Sequence, residues 1–516
     1  MSDRKRRWLG FGLVATASAG VLGLSAMMNP QSAYADDLDN IGLVIGGSDD
    51  PIPGPDYVQA ADGLYLDNPG TTLYPDLTFY QATPDNPFGN GLFTPEGAYP
   101  LFGGGVQQLF YNYPLDSDGL PSLSTSVGQG AAILESTILA NQAAGDASTV
   151  FGYSQSSTIA GITMQLLDPS GTPQTGPLDP QFLLLADLNN PNGGILERFN
   201  GFETTSGQTT VDPLNLASLG FAFDGSTPSD DYVTTIYSLE YDGFTDFPRY
   251  PINFLSDLNA FLGIEDLHGT YLNGGVDGSG PTAEQIANAI LLPGSMDSGT
   301  ADSLTNYYII DETAPLVSLL PTKLQELLGP DLTFLINLGY GDGSLGYSVT
   351  PDSPANIPTP FGLFPDVSLS TVLSTLATDT EQGIQNLMSG TDPYAAALDP
   401  ATSSATSLPD LLSALSADAA DPAATFTDLV NAISSAASTA YSTLLPTADI
   451  INTLVTSLPA WEVSIFTDNL SSGNLLDAVG LPVAGTIAIG TLAAGFEVTI
   501  LSDAASQIGA DFSGLF

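Results

Sequence analysis

The stretch Ser148–Ser157, STVFGYSQSS, decides the fold. Its first half, Ser148–Gly152, has the β-branched and aromatic content of a buried strand. A helix follows: from Ser156 to Leu167, Ile159, Ile162 and Leu166 recur on one face. Between the two stands Gly152-Tyr153-Ser154-Gln155-Ser156, a Gly-x-Ser-x-small motif at a strand–turn–helix junction. A chain that reverses in one tight step there lifts the Ser154 hydroxyl clear of the sheet. Small flanking residues keep strand from clashing with helix; Gly152 is one, and Ser156 stands where a second glycine is usual. The amide of Gln155, at the positive end of the helix, then faces charge developing on an attacked carbonyl. In a chain so rich in Gly and Ser the motif alone arises about once by chance, so its setting carries the weight.

A hydroxyl nucleophile needs a base, and imidazole is the usual one. The chain has a single histidine, His268, in Asp266-Leu267-His268-Gly269-Thr270-Tyr271. A lone histidine is more often an ordinary core or surface residue, but this one follows the serine as a base should. Between them, Val233–Tyr241 (VTTIYSLEY) reads as a strand that runs into Asp242-Gly243-Phe244-Thr245-Asp246. Asp242, at the strand end, is the favoured acid to orient the imidazole, with Asp246 as the alternative. The carboxylate not so used is expected to shape the loop by bonding backbone amides. The order serine, aspartate, histidine is that of α/β-hydrolases. A second oxyanion donor is expected at Ser48, in Gly46-Gly47-Ser48 after the apolar run Ile41–Ile45; Gly103-Gly104-Gly105 is its rival.

Outward from this centre, Val106–Tyr113, Phe182–Ala186 and Tyr232–Tyr241 read as further strands, and Ala131–Ala143 as a helix. Apolar strands separated by helices imply a parallel sheet covered on both faces, an α/β fold. Residues 300–390 are richer in Pro and Gly, with fewer clear elements. From about 391 the composition turns to Ala, Ser, Thr and Leu, and Leu411–Leu415 and Leu429–Ala440 look helical. Residues 391–516 are therefore expected to form a mainly helical appendage to a domain of residues 36–390. Within it Ala478–Phe496 carries no charge before Glu497 and approaches the length that spans a bilayer. Its Ala, Gly and Thr content, with Pro482 inside, gives weak apolar drive, so a buried hairpin or surface helix is expected.

Residues 1–35 read as a secretory signal peptide. Arg4, Lys5, Arg6 and Arg7 precede the apolar run Trp8–Met28, and Ala33-Tyr34-Ala35 is a small-x-small cleavage site. A retained anchor is the alternative. That segment holds four of the 7 basic residues and one of the 57 acids, leaving Arg198, Arg249 and Lys323 as the only cations beyond it. So acidic a surface repels nucleic acid and anionic head groups and suits uncharged or apolar substrates. With no cysteine, disulfides and thiolate chemistry are excluded. Asp116-Ser117-Asp118-Gly119 opens like a calcium loop, but Val127 fills the twelfth position that needs Glu. No phosphate loop, dinucleotide fingerprint or histidine-based metal cluster is present.

Four stretches carry a family resemblance: VIGGSDDPIPGPDYV (44–58), FGYSQSS (151–157), EYDGFTDFPRYPINFLSDLNAFLGIEDLHGTY (240–271), and INLGYGDG (336–343) followed by NIPTPFGLFP (356–365). On these, residues about 41–390 resemble the PE-PPE C-terminal domain, a group of mycobacterial serine hydrolases related to cutinases. The resemblance implies a cutinase-like α/β-hydrolase fold and esterase or lipase activity in a lipid-rich cell envelope; some similar domains transfer acyl groups between trehalose lipids. By position it implies Ser154, His268 and Asp242 or Asp246 as the triad, and Ser156 for glycine falls within the family pattern. In such relatives the domain usually follows a PE or PPE helical module, whose place the signal peptide takes here. Residues 391–516 lie outside the resemblance.

Together these readings predict a secreted serine esterase or lipase that takes acyl esters or lipids through an acyl-enzyme. Gln155 and Ser48 hold the oxyanion, no metal or organic cofactor takes part, and the protein associates with a cell envelope rather than nucleic acid. Two alternatives are an acyltransferase using the same residues and a non-catalytic acidic envelope protein.

Overall fold

The computed structural model describes residues 39–67, 77–97, 123–199, 225–299, 303–390, 393 and 431–513, save 433, 440 and 442. Its centre is a seven-stranded sheet of β1 (Asn40–Val44), β2 (Leu77–Phe79), β3 (Ala147–Tyr153), β4 (Gln181–Leu185), β5 (Thr234–Leu239), β6 (Ile290–Leu291) and β7 (Thr305–Ile310). The strand order is β2-β1-β3-β4-β5-β7-β6, parallel throughout except for β6, which pairs antiparallel with β7 at one edge. Side chains alternate between two cores as the pleat requires. Leu43, Val150, Phe182, Leu184, Ile236 and Ile309 face one; Val44, Phe151, Leu183, Leu185, Tyr237 and Ile310 face the other.

Helices cover both faces: α1 (Pro55–Ala61), α2 (Leu123–Ala144), α3 (Gln155–Leu167), α4 (Ile195–Arg198), α5 (Phe254–Asp266), α6 (Ala283–Ala287), α7 (Pro315–Ser318), α8 (Thr322–Asn337) and α9 (Leu369–Ser389). The expected parallel α/β sheet is present, with β1, β3, β4, β5 and α3 within a few residues of the sequence reading; α2 ends where expected but begins eight residues earlier, at Leu123 rather than Ala131. The segment 300–390 departs from that reading, being well structured as β7, α7, α8 and α9. α8 continues through Gly329-Pro330, a pair that weakens a helix interior, with Phe334 and Ile336 buried in the turns beyond it. Val106–Tyr113, Gly103–Gly105, Asp116–Gly119, Leu411–Leu415 and residues 1–38 lie outside the described residues.

The C-terminal region contributes α10 (Leu444–Asn452), α11 (Leu458–Ser471) and the 39-residue α12 (Leu475–Ser513). α12 is one continuous helix, not a hairpin; Pro482 and five glycines do not interrupt it. Three of those glycines are contact points. An added Cβ would lie 2.4 Å from Leu363 at Gly480, from Trp461 at Gly485 and from Phe261 at Gly495. Phe361 and Leu363 join Trp461, Ile465, Leu481 and Ile489 in a third core, alongside Phe199, Phe247 and Phe261. Among the described helices, Leu475–Ala510 alone is long and apolar enough to cross a membrane by length and composition, with 33 % of its most apolar window buried within the protein.

One side chain fastens that third core to the sheet. Arg198, 0 % exposed, donates from Nε to Phe247 O at 3.1 Å, from Nη1 to Thr359 O at 2.5 Å, and from Nη2 to Asn192 Oδ1 at 3.1 Å and to Ser348 Oγ. Burial lowers its pKa to about 10, so it stays charged at neutral pH. Each acceptor left buried without a donor costs about 1–3 kcal/mol. Arg198→Met is therefore expected to lower the unfolding free energy by about 3 kcal/mol or more, measured by denaturant unfolding.

Candidate active site

β3 ends at Tyr153 and α3 begins at Gln155, so the whole reversal falls on Ser154, at φ 59° and ψ −121°. This backbone costs a non-glycine residue on the order of 1–3 kcal/mol. Its neighbours hold it. A Cβ on residue 152 would lie 2.8 Å from Ser156 O, so only glycine allows α3 this close to β3. Ser156 Oγ accepts from Tyr153 N at 2.6 Å and donates to Tyr153 O at 3.0 Å. Its hydroxyl thus ties the turn, beyond merely being small. Ser157 N and Oγ both donate to Ser154 O, at 2.9 and 2.5 Å.

His268 follows α5 at the start of a 3₁₀ turn, with Nε2 2.7 Å from Ser154 Oγ. Its Nδ1 lies 2.9 Å from Asp242 Oδ2 and 3.1 Å from Oδ1. A carboxylate accepts, so Nδ1 carries the proton and Nε2 presents its lone pair to the serine. Asp242 is wholly buried, and accepts further from Tyr271 Oη at 2.9 Å and Phe244 N at 3.1 Å. Tyr271 Oη in turn accepts from Leu239 N at 2.8 Å, anchoring the acid to the end of β5. The His268 carbonyl accepts from Tyr153 Oη, and the Phe244 ring meets the imidazole edge-on at a centroid distance of 4.6 Å. Ser154 is 8 % exposed and His268 7 %.

Asp246 is not at the histidine. Its Oδ2 accepts from Tyr241 N at 3.1 Å, fixing the turn in which Tyr241 takes φ 68°. Burial raises its pKa to about 8, offset in part by the Tyr241 amide and the Arg198 charge.

Gln155 and Ser48 come together. Gln155 Nε2 donates to Ser48 Oγ at 3.1 Å and to Gly97 O at 2.9 Å, and its Oε1 accepts from Ser126 Oγ at 2.7 Å. The loop after β1 runs directly past the serine: a Cβ on Gly47 would lie 3.7 Å from Ser154 Cβ. Among the described residues, no hydrogen bond engages the amides of Gln155 or Ser48. Sequence reasoning passed over Tyr153 Oη, Phe244 and Tyr271, all inside the motifs it quoted, because nothing in the spacing told a tyrosine that anchors a triad from one that fills a core.

A strained serine at a strand–helix turn, with a histidine and a buried aspartate behind it on a parallel sheet, defines a Ser-His-Asp arrangement on an α/β fold. The chain belongs to the PE-PPE domain family, whose model matches residues 89–341. That span takes in Ser154, Asp242 and His268 but neither Ser48 nor the C-terminal helices. The chain is similar to several proteins of Mycobacterium tuberculosis. It is 35 % identical over 526 aligned residues to the uncharacterized PPE family protein PPE28, covering 98 % of this chain and 71 % of that protein. With Esterase PE16 it shares 35 % over 349 residues, 66 % of this chain and 55 % of that protein. With PE family protein PE3 it shares 33 % over 353 residues, 66 % of this chain and 62 % of that protein. No solved structure matches the chain.

Glu240 joins Asp246 with a pKa raised by burial to about 8. An unfolded chain ionises both near pH 4. Between about pH 4 and 8 the unfolded state has shed protons that the folded state keeps, so the stability these groups contribute is full below that window and lost as pH rises through it. Unfolding free energy measured across this range should fall, and Asp246→Asn should flatten the fall.

Proposed function

We propose that the protein is an exported serine esterase that hydrolyses carboxylic esters of uncharged acyl lipids at a cell envelope. The observation that carries this reading is the unbroken chain Ser154 Oγ–His268 Nε2, His268 Nδ1–Asp242. Membership of a family that includes a protein named Esterase PE16 supports it. The leader-like pattern of residues 1–35 and a surface nearly free of cations support the export and the choice of substrate.

In this mechanism His268 Nε2 takes the Ser154 proton as Oγ attacks the ester carbonyl. Asp242 stays ionised and stabilises the imidazolium. The negative charge on the carbonyl oxygen falls to the unused amides of Gln155 and Ser48. Because Gln155 Nε2 already donates to Ser48 Oγ, the serine hydroxyl keeps its own proton for the oxyanion. His268 then protonates the departing alcohol, and water, activated by the same imidazole, releases the acid from the acyl-serine. Asp246 has no part in proton transfer and holds the loop that carries Asp242.

The wild type is expected to take a fluorophosphonate label on Ser154 and to cleave p-nitrophenyl esters, and Ser154→Ala to do neither. His268→Gln and Asp242→Asn should each lower kcat by about 10³-fold or more, while Asp246→Asn should stay within about tenfold of wild type. A wild type that takes no label, or full activity in His268→Gln, overturns the reading.

A further inference from the structure

The C-terminal helix reaches the catalytic histidine through two aromatic rings. Phe244 lies against the His268 imidazole at 4.6 Å and 74°, and its own amide bonds Asp242. Phe496 of α12 lies over Phe244 at 6.4 Å with the planes only 19° apart, and stands edge-on to Phe261 of α5 at 5.7 Å. Phe244 is buried and Phe496 half-buried, so Phe496 closes the outer side of the ring that walls the histidine. The sequence of α12 is built for this approach. Gly495, the residue before Phe496, is where an added Cβ would lie 2.4 Å from Phe261. Polar contacts fix the helix in register on both sides: Glu497 Oε1 accepts from Thr447 Oγ1 at 2.8 Å, and Thr499 bonds Glu265 at the end of α5.

We propose that Phe496 is a positioning residue for His268. By bracing Phe244 it holds the imidazole in line between Asp242 and Ser154, so α12 belongs to the catalytic unit and is not an independent appendage. The inference rests on the esterase reading of Ser154 and His268. Its physical basis is that an imidazole must keep two hydrogen bonds at once while its charge changes. A ring free to tilt keeps one and loses the other, and small misplacements of a general base cost large factors in rate.

The test uses the full chain carrying no histidine tag, so that His268 is the only imidazole. Phe496→Ala and Phe496→Tyr are compared with wild type for hydrolysis of p-nitrophenyl butyrate and by NMR of histidine-labelled protein. In Phe496→Ala, kcat is expected to fall about tenfold with KM within about twofold, and the Nδ1–H signal to broaden through exchange with water. Phe496→Tyr, which keeps the ring, should restore both. Phe496→Leu keeps the bulk the helix interface needs and is read in the same way should Phe496→Ala fail to fold. Unchanged kcat, a change in KM alone, or unchanged imidazole signals overturn the brace. If wild-type Ser154 takes no fluorophosphonate label, the esterase reading fails and the brace with it; labelling equal in wild type and Phe496 variants, with equal kcat, sinks the brace alone.

Discussion

Arg198, the one fully buried guanidinium among the described residues, sets the conditions for everything around it. A charge taken wholly out of water persists only if nearly every donor finds an oxygen. Arg198 satisfies this by gathering oxygens from residues 192, 247, 348 and 359, which ordinary apolar packing would leave as independent loops. Two consequences follow from that convergence. The turn from Asp242 to Phe247 is held from behind, so Asp242 can hang from β5 toward the histidine. The proline-rich segment around Thr359 is held as well, and the next residues, Phe361 and Leu363, enter the core shared with Trp461 and α12. Phe361 N closes the loop by bonding Arg198 O at 3.2 Å. No carboxylate lies within ion-pair reach of Arg198 among the described residues, and Asp246 acts on it only at longer range.

The site shows strain and support in matched places. Positive φ angles occur at Ser154, Ala186 and Tyr241, just past the ends of β3, β4 and β5. These are the strand ends where an open parallel sheet presents its crevice. A backbone bent there lifts side chains out of the sheet at a conformational cost, and the hydrogen bonds of Ser156, Ser157 and Asp246 offset it. Asp242 and Asp246 are two carboxylates four residues apart: Asp242 holds an imidazole and the Phe244 amide, Asp246 the Tyr241 amide.

Much of this was legible in the sequence, for physical reasons that differ by element. β1, β3, β4 and β5 are short apolar runs because a strand covered on both faces has no solvent side to advertise. His268 stood out because there is one, and Asp242 because it ends a strand. β7 (TNYYII) hid among polar and aromatic letters, yet its Tyr307 and Tyr308 pack on opposite faces, Tyr308 stacked on Tyr237 at 4.9 Å. α12 hid for the opposite reason. Its glycines and Pro482 are local helix breakers, and only long-range contact with Leu363, Trp461 and Phe261 turns the glycines into points of close approach. Local rules see cost at such positions; the compensating neighbour lies well outside the local window, on another helix or loop.

The distribution of positive charge has an outcome for how the molecule meets enzymes that cut after basic residues. Beyond Arg7 it offers three such bonds. Arg198 is sealed in the interior and Arg249 bonds Ser353 while its guanidinium lies over the Tyr250 ring, which leaves Lys323, in the first turn of α8, as the one basic side chain well exposed to solvent. From Lys323 to the C-terminus no further cleavage site of this kind exists. Beyond Arg7, digestion of the folded protein would be confined to one edge of one helix, and even the denatured chain would release residues 324–516 as a single fragment.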